Sequence, residues 1–111
     1  MGYRSQVIIG IPKEKAQQFI DLEMPAPLDP VLEIFEQVKT TEDDVVIFNG
    51  DYLKWYSGYK DVELINNFVQ QCWEKFEDKT FMVAVGEDGH VHSTIGEYYD
   101  YVNVYTAIDI Y

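Results

Sequence analysis

Between residues 61 and 76 the apolar positions are Val62, Ile65, Phe68, Val69, Cys72, Trp73 and Phe76. Their spacing follows the i, i+3, i+4, i+7 rule of an amphipathic helix. Asp61 stands where a cap is wanted, Glu63 falls in the first turn, and Lys75 and Lys79 lie near the end, so the charges follow the helix dipole at both termini. The opposite face carries Glu63, Asn66, Asn67, Gln70, Gln71 and Glu74. A helix with one aromatic face and one polar face lies on a surface, and the rest of the chain must supply that surface as a sheet. The same spacing predicts Trp73 and Phe76 in the core and leaves Trp55 at the sheet margin.

The remaining patterns fit that arrangement. Residues 3–11 alternate, with Tyr3, Ser5, Val7, Ile9 and Ile11 on one side and Arg4, Gln6, Ile8 and Gly10 on the other, which is a strand. Pro12 suits a first helical turn, and Ala16, Phe19, Ile20 and Leu22 form a weaker stripe along a helix over residues 13–23. The three prolines of residues 24–30 forbid continuation and make a rigid link. Asp29 and Pro30 read as the cap and first turn of a second helix, with Val31, Leu32, Phe35 and Val38 at helical spacing up to residue 39.

Residues 40–44 are turn-like. Residues 45–48 and 52–56 are β-formers around Asn49-Gly50-Asp51, which reads either as a hairpin turn, favoured by Asn-Gly, or as a glycine bulge in one long strand. Residues 80–85 form a strand with Phe81, Val83 and Val85 on one face, residues 86–89 a turn, and residues 91–95 a short returning strand. Residues 101–111 alternate as one strand, with Val102, Val104, Thr106, Ile108 and Ile110 inward and Tyr101, Asn103, Tyr105, Ala107, Asp109 and Tyr111 outward. The element order predicts a single α+β domain over residues 1–111, two-layered, with helices packed on one face of a mainly antiparallel sheet.

Composition narrows the function more than the fold. The chain has 111 residues, 47% of them hydrophobic, enough for one core. Eight basic residues against twenty acidic ones leave a net charge of −12, spread along the chain. That balance opposes direct contact with nucleic acid or an anionic membrane, both of which demand clustered Lys and Arg; it serves solubility first, and a basic partner is the sharper reading. Cys72 is the only cysteine, so no internal disulfide forms and a reducing compartment fits. No basic-led apolar run opens the sequence and no stretch of about 18 apolar residues occurs, so the expected location is cytoplasmic.

No phosphate loop, nucleophile elbow, paired-cysteine motif or helical His-Glu-x-x-His is present, and the expectation is a protein without catalytic residues and without a cofactor. Cys72 sits among Phe68, Trp73 and Phe76, a core setting and not a nucleophile's. His90 and His92 are the one pair spaced for a metal, since i and i+2 on a strand share a side, but Gly86 to His90 reads more simply as an exposed turn and no functional metal is expected. Glu42, Asp43 and Asp44 lack the periodicity of a calcium loop.

The tyrosines carry the remaining signal. Tyr52, Trp55, Tyr56 and Tyr59 gather before the long helix, and Tyr98, Tyr99, Tyr101, Tyr105 and Tyr111 follow the late strands. Tyrosine is prominent at interface hot spots; the same rings also serve to cap sheet edges. The candidate partner-binding residues are Tyr101, Tyr105 and Tyr111 with Glu97, Asp100 and Asp109 beside them.

Gly2-Tyr3-Arg4-Ser5, Leu53-Lys54-Trp55-Tyr56 ahead of an acidic helix start, and Gly86-Glu87-Asp88 after a late strand together resemble a set of small acidic bacteriophage proteins. The resemblance implies an accessory product working in the cytoplasm of an infected host cell, binding a host or phage protein and disabling a host nucleic-acid-binding or defence factor. Self-association through the sheet, or binding of a small ligand or metal, are the alternative expectations.

Overall fold

The computed structural model describes residues 4–22, 34–55, 59–98, 101–104 and 108–110. Strands β1 (Ser5–Pro12), β2 (Glu36–Thr40), β3 (Val45–Leu53), β4 (Phe81–Gly86) and β5 (Val91–Ile95) form one sheet in the order β2-β3-β1-β4-β5, antiparallel at every pairing. Helices α1 (Lys13–Ile20) and α2 (Lys60–Lys75) complete an α+β fold, and β6 (Val102–Val104) pairs with β7 (Ile108–Ile110) in a separate small sheet. Among the described residues no helix is long and apolar enough to cross a membrane.

The central strands are apolar at nearly every position because both faces of the sheet are covered, which replaces simple alternation by a continuous apolar run. On one face Val7, Ile9 and Ile11 of β1, Val46 and Phe48 of β3, and Met82 and Ala84 of β4 pack with Phe19 of α1 and with Val62, Ile65, Val69 and Cys72 of α2. On the other face Ile8, Val45, Ile47, Phe81, Val83 and Val85 are closed over by Val102, Tyr98 and Tyr101. Phe19 anchors an aromatic cluster on the helical side, with its ring centre 4.9 Å from Phe48, 5.8 Å from Phe68 and 6.1 Å from Phe35. Such tilted and edge-on pairs add to the gain from buried area.

Four local expectations are corrected, and at Asn49-Gly50 the bulge holds in place of the favoured turn. Residues 36–39 are strand and not helix: β2 is an edge strand with every residue exposed, and Phe35, just before it, is the residue that turns into the core. Residues 31–33 and the proline link of residues 24–30 lie outside the described residues.

Asn49-Gly50 is not a hairpin turn. β3 runs through it, and the register against β1 passes from Val7↔Gly50 to Ser5↔Leu53, so β3 carries one extra residue. The space above Gly50 is taken by Leu53 and Phe35, whose side-chain atoms lie 2.6 and 2.9 Å from where a Cβ would stand. The bulge places Tyr52 at φ 57°, 72% exposed, with the Arg4 guanidinium 5.0 Å above its ring.

Residues 101–111 do not form one strand. The alternation continues across a chain reversal, pairing Val102 with Ile110 and Val104 with Ile108. Asp61 does not cap α2 either. Tyr59 is the capping position, without a side-chain bond, and Asp61 lies inside the helix.

The two tryptophans exchange places. Trp55 is buried, at 6% exposure, edge-on to Phe35 with ring centres 6.0 Å apart. Trp73 and Phe76 are only partly buried and belong to neither core cluster. They sit at the end of α2, where the chain leaves the helix through Phe76 into the 3-10 turn Glu77–Lys79.

Candidate binding cavity

The end of α2 opens onto a cavity of about 660 Å³ lined by Asp43, Trp73, Glu77, Asp78, Gly96, Glu97 and Tyr101. Each wall is fixed by its own local structure. Asp43 lies in the β2–β3 turn, where Thr41 N–H donates to the Val45 carbonyl at 2.8 Å and Val45 N–H donates to Thr41 Oγ1 at 3.2 Å. Glu77 and Asp78 are presented by the 3-10 turn, closed by Lys79 N–H donating to the Phe76 carbonyl at 3.0 Å.

Gly96 turns the chain out of β5 at φ 69°, a left-handed conformation that favours glycine. A Cβ there would stand 2.6 Å from the Thr80 carbonyl oxygen and 2.9 Å from Trp73 Cδ1, so the missing side chain lets the β5 exit press against the indole. Tyr101 forms the far wall. Its ring stacks on Phe81 with centres 4.9 Å apart and planes at 10°, and its hydroxyl donates to the Asp78 carbonyl at 2.9 Å.

Asp43, Glu77, Asp78 and Glu97 bring four carboxylates to one opening, and among the described residues none of them forms an ion pair. Like charges around a concave, partly apolar wall concentrate positive counter-charge there. Among the described residues no three His, Cys, Asp or Glu side chains converge closely enough to hold a metal ion.

Of the candidate partner-binding residues, Tyr101 and Glu97 are brought together in this cavity. Tyr105, Tyr111 and Asp100 lie outside the described residues, and Asp109 is placed only as the middle residue of β7. Asp43, Trp73, Glu77 and Asp78 were missed as site residues: Asp43 reads as part of a turn, Glu77 and Asp78 as the end of the long helix and the tryptophan as core, and no spacing rule links positions so far apart in the chain.

The two histidines do not act as a pair. His90 precedes β5 and its Nδ1 lies 3.4 Å from Asp88 in the turn, whereas His92 Nε2 lies 2.8 Å from Ser5 Oγ. Ser5 is buried, and this contact ties the β5 edge back to β1. Its partners stand 87 residues apart, so no local pattern signals it.

Cys72 is buried against α1 and the sheet. Burial pushes its thiol above the ordinary value of 9.0, against the weaker opposing pull of Lys15 and Lys75. The folded chain therefore holds this proton more tightly than the unfolded chain, so the contribution to stability is complete below the ordinary thiol value and is lost as pH rises through the folded one. Iodoacetamide should label Cys72 slowly at neutral pH in the native protein and rapidly in denaturant, as followed by mass spectrometry. Equal rates in both states would contradict a core thiol.

The fold and cavity together define an α+β protein with an acidic, aromatic-walled recess at one end of its sheet. No protein-family model, curated protein or solved structure matches the chain.

Proposed function

We propose that this chain is a non-enzymatic binding protein whose acidic, aromatic-walled cavity docks a basic segment of a protein partner. In the setting that the resemblance implies, it is a phage accessory protein acting on a host or phage factor in the infected cell. The observation that supports this reading is the meeting of four acidic residues, without ion pairs among the described residues, with Trp73 and Tyr101 in one recess of a chain with net charge −12. Aromatic anchors give binding energy and complementary charge gives encounter rate and partner choice. A partner face rich in Lys and Arg, of the kind that meets phosphate, matches both features, and docking there would occupy a nucleic-acid surface.

Affinity capture from infected-cell extract tests the reading. The parent chain is expected to retain a basic protein, and the Glu77→Gln/Glu97→Gln variant is expected to lose it while melting at an unchanged temperature, because both side chains are exposed. Capture of the same protein at equal yield by the variant, or retention of acidic proteins only, would overturn it.

A further inference from the structure

We propose that a second cavity, at the start of β1, is a site for phosphate or a small phosphate monoester, gripped by the Arg4 guanidinium. This cavity holds about 190 Å³, shares no lining residue with the acidic recess, and is walled by Arg4, Ser5, Tyr52, Gly86 and Glu87. Arg4 is the only arginine of a chain that carries twenty acidic residues. Among the described residues its guanidinium nevertheless meets no carboxylate. Glu87, the acid of this wall, binds the Arg4 backbone instead, whose N–H donates to Glu87 Oε1 at 2.6 Å.

The arginine is positioned without being satisfied. Its guanidinium lies 5.0 Å from the centre of the Tyr52 ring. A ring attracts the cation but offers no oxygen, so the contact holds the group and leaves its five N–H donors for a ligand. Tyr52 itself stands at φ 57° in the β3 bulge, a left-handed conformation disfavoured for any residue but glycine, and it is 72% exposed. Burial therefore does not offset the strain, and strained residues of this kind cluster at ligand sites.

Size and donor number select the occupant. The volume lies below the roughly 300 Å³ at which organic ligand sites begin, which admits an oxyanion with few attached atoms and excludes a nucleotide. A guanidinium meets two oxygens of one anion with parallel N–H bonds. Ser5 supplies a further donor to the same cavity: it is 3% exposed, and its Oγ lies 2.8 Å from His92 Nε2. With His92 donating, the serine keeps its own O–H proton to give. A carboxylate has only the two oxygens that the fork already meets, whereas a phosphate presents a third to Ser5.

Proton–nitrogen correlation spectra read the site directly, because one arginine gives one Nε–H signal. Titrated with inorganic phosphate at roughly 0.15 M salt, that signal should move to saturation, and acetate should bind about fivefold more weakly or worse. Arg4→Lys keeps the charge and loses the fork; followed at the Ser5 and Gly86 amides, it should weaken phosphate about fivefold or more. Glu87→Gln keeps an acceptor for the Arg4 N–H and removes a repelling charge, so phosphate should bind about threefold tighter. Tyr52→Gly should weaken phosphate about threefold while melting near the parent temperature, since glycine relieves the backbone as the ring is lost. A shift that never saturates, acetate bound as tightly as phosphate, or phosphate affinity unchanged in Arg4→Lys or in Tyr52→Gly would overturn the site.

Discussion

Trp55→Ala is expected to destabilise the fold by about 3–5 kcal/mol, whereas Trp73→Ala should cost only about 1 kcal/mol. The difference follows from burial. Trp55 belongs to the helical core, edge-on to Phe35, and its removal leaves a cavity there. Trp73 is partly exposed at the end of α2, with one edge against Gly96 and the other side facing the recess. Domains of this kind hold about 5–15 kcal/mol in total, so the first change threatens folding and the second does not. Urea denaturation of both variants decides the order. Trp55→Phe serves as the control: the buried Trp55 Nε1 has no hydrogen-bond partner, so a phenyl ring removes an unsatisfied group along with some volume. A larger loss from Trp73→Ala than from Trp55→Ala would contradict the packing described.

Phe81→Ala is expected to lose a similar amount, about 3–5 kcal/mol, and to damage the recess as well. Phe81 is fully buried on the second face of the sheet, and its ring occupies the space above Gly10, within 2.1 Å of where a Cβ on that glycine would stand. The same ring is the platform on which Tyr101 stacks. Without it the far wall of the cavity loses its stacking partner, while the hydroxyl bond to Asp78 remains. Tyr101→Phe separates the two effects, since it keeps the stacking and removes that bond, at an expected cost of about 1 kcal/mol. Thermal and urea melts of both variants read the difference, and a loss below about 1 kcal/mol for Phe81→Ala would mean that the second face is not a true core.

The α+β class was legible because the strongest signals were long and periodic. α2 begins and ends within one residue of the expected span 61–76, β5 spans its expected residues, and the opposed rows of β1 and β4 face the two sides that alternation assigns them. What failed were short windows in which several structures fit the same residues. Phe35 and Val38 are three apart, which suits a helix, but a single buried ring followed by an exposed edge strand needs no period at all. Asn49-Gly50 carries a strong turn preference, and tertiary packing outweighed it: β1 offers a continuous partner for β3, and Phe35 and Leu53 use the space that only glycine leaves open. In the last segment, alternation reports which face a residue occupies and is blind to chain reversal, since a hairpin that pairs Val102 with Ile110 preserves parity.

The recess was the least legible feature. Tyr101 and Glu97 were visible as an aromatic beside an acid, but the carboxylates opposite them come from the β2–β3 turn and from the 3-10 turn after α2. Only the sheet order, which sets β3, β1 and β4 side by side, brings those turns to one end of the molecule. Trp73 misled for a related reason. Helical spacing places it on the buried side of α2, yet in the last turn it is only partly buried, with the chain leaving β5 at Gly96 against its indole edge.

The central claim is that this recess receives a basic partner, and the emission of Trp73 inside the complex tests it most directly. In the Trp55→Phe variant Trp73 is the only tryptophan, so its fluorescence reports the recess alone. On addition of the captured basic protein, quenching of Trp73 by acrylamide should fall about fivefold or more, as contact excludes the quencher from a hot-spot ring, and the protection should disappear at roughly 1 M salt, where charge pairing is screened. A partner that binds with full affinity while Trp73 remains as open to acrylamide as in the free protein would contradict the account.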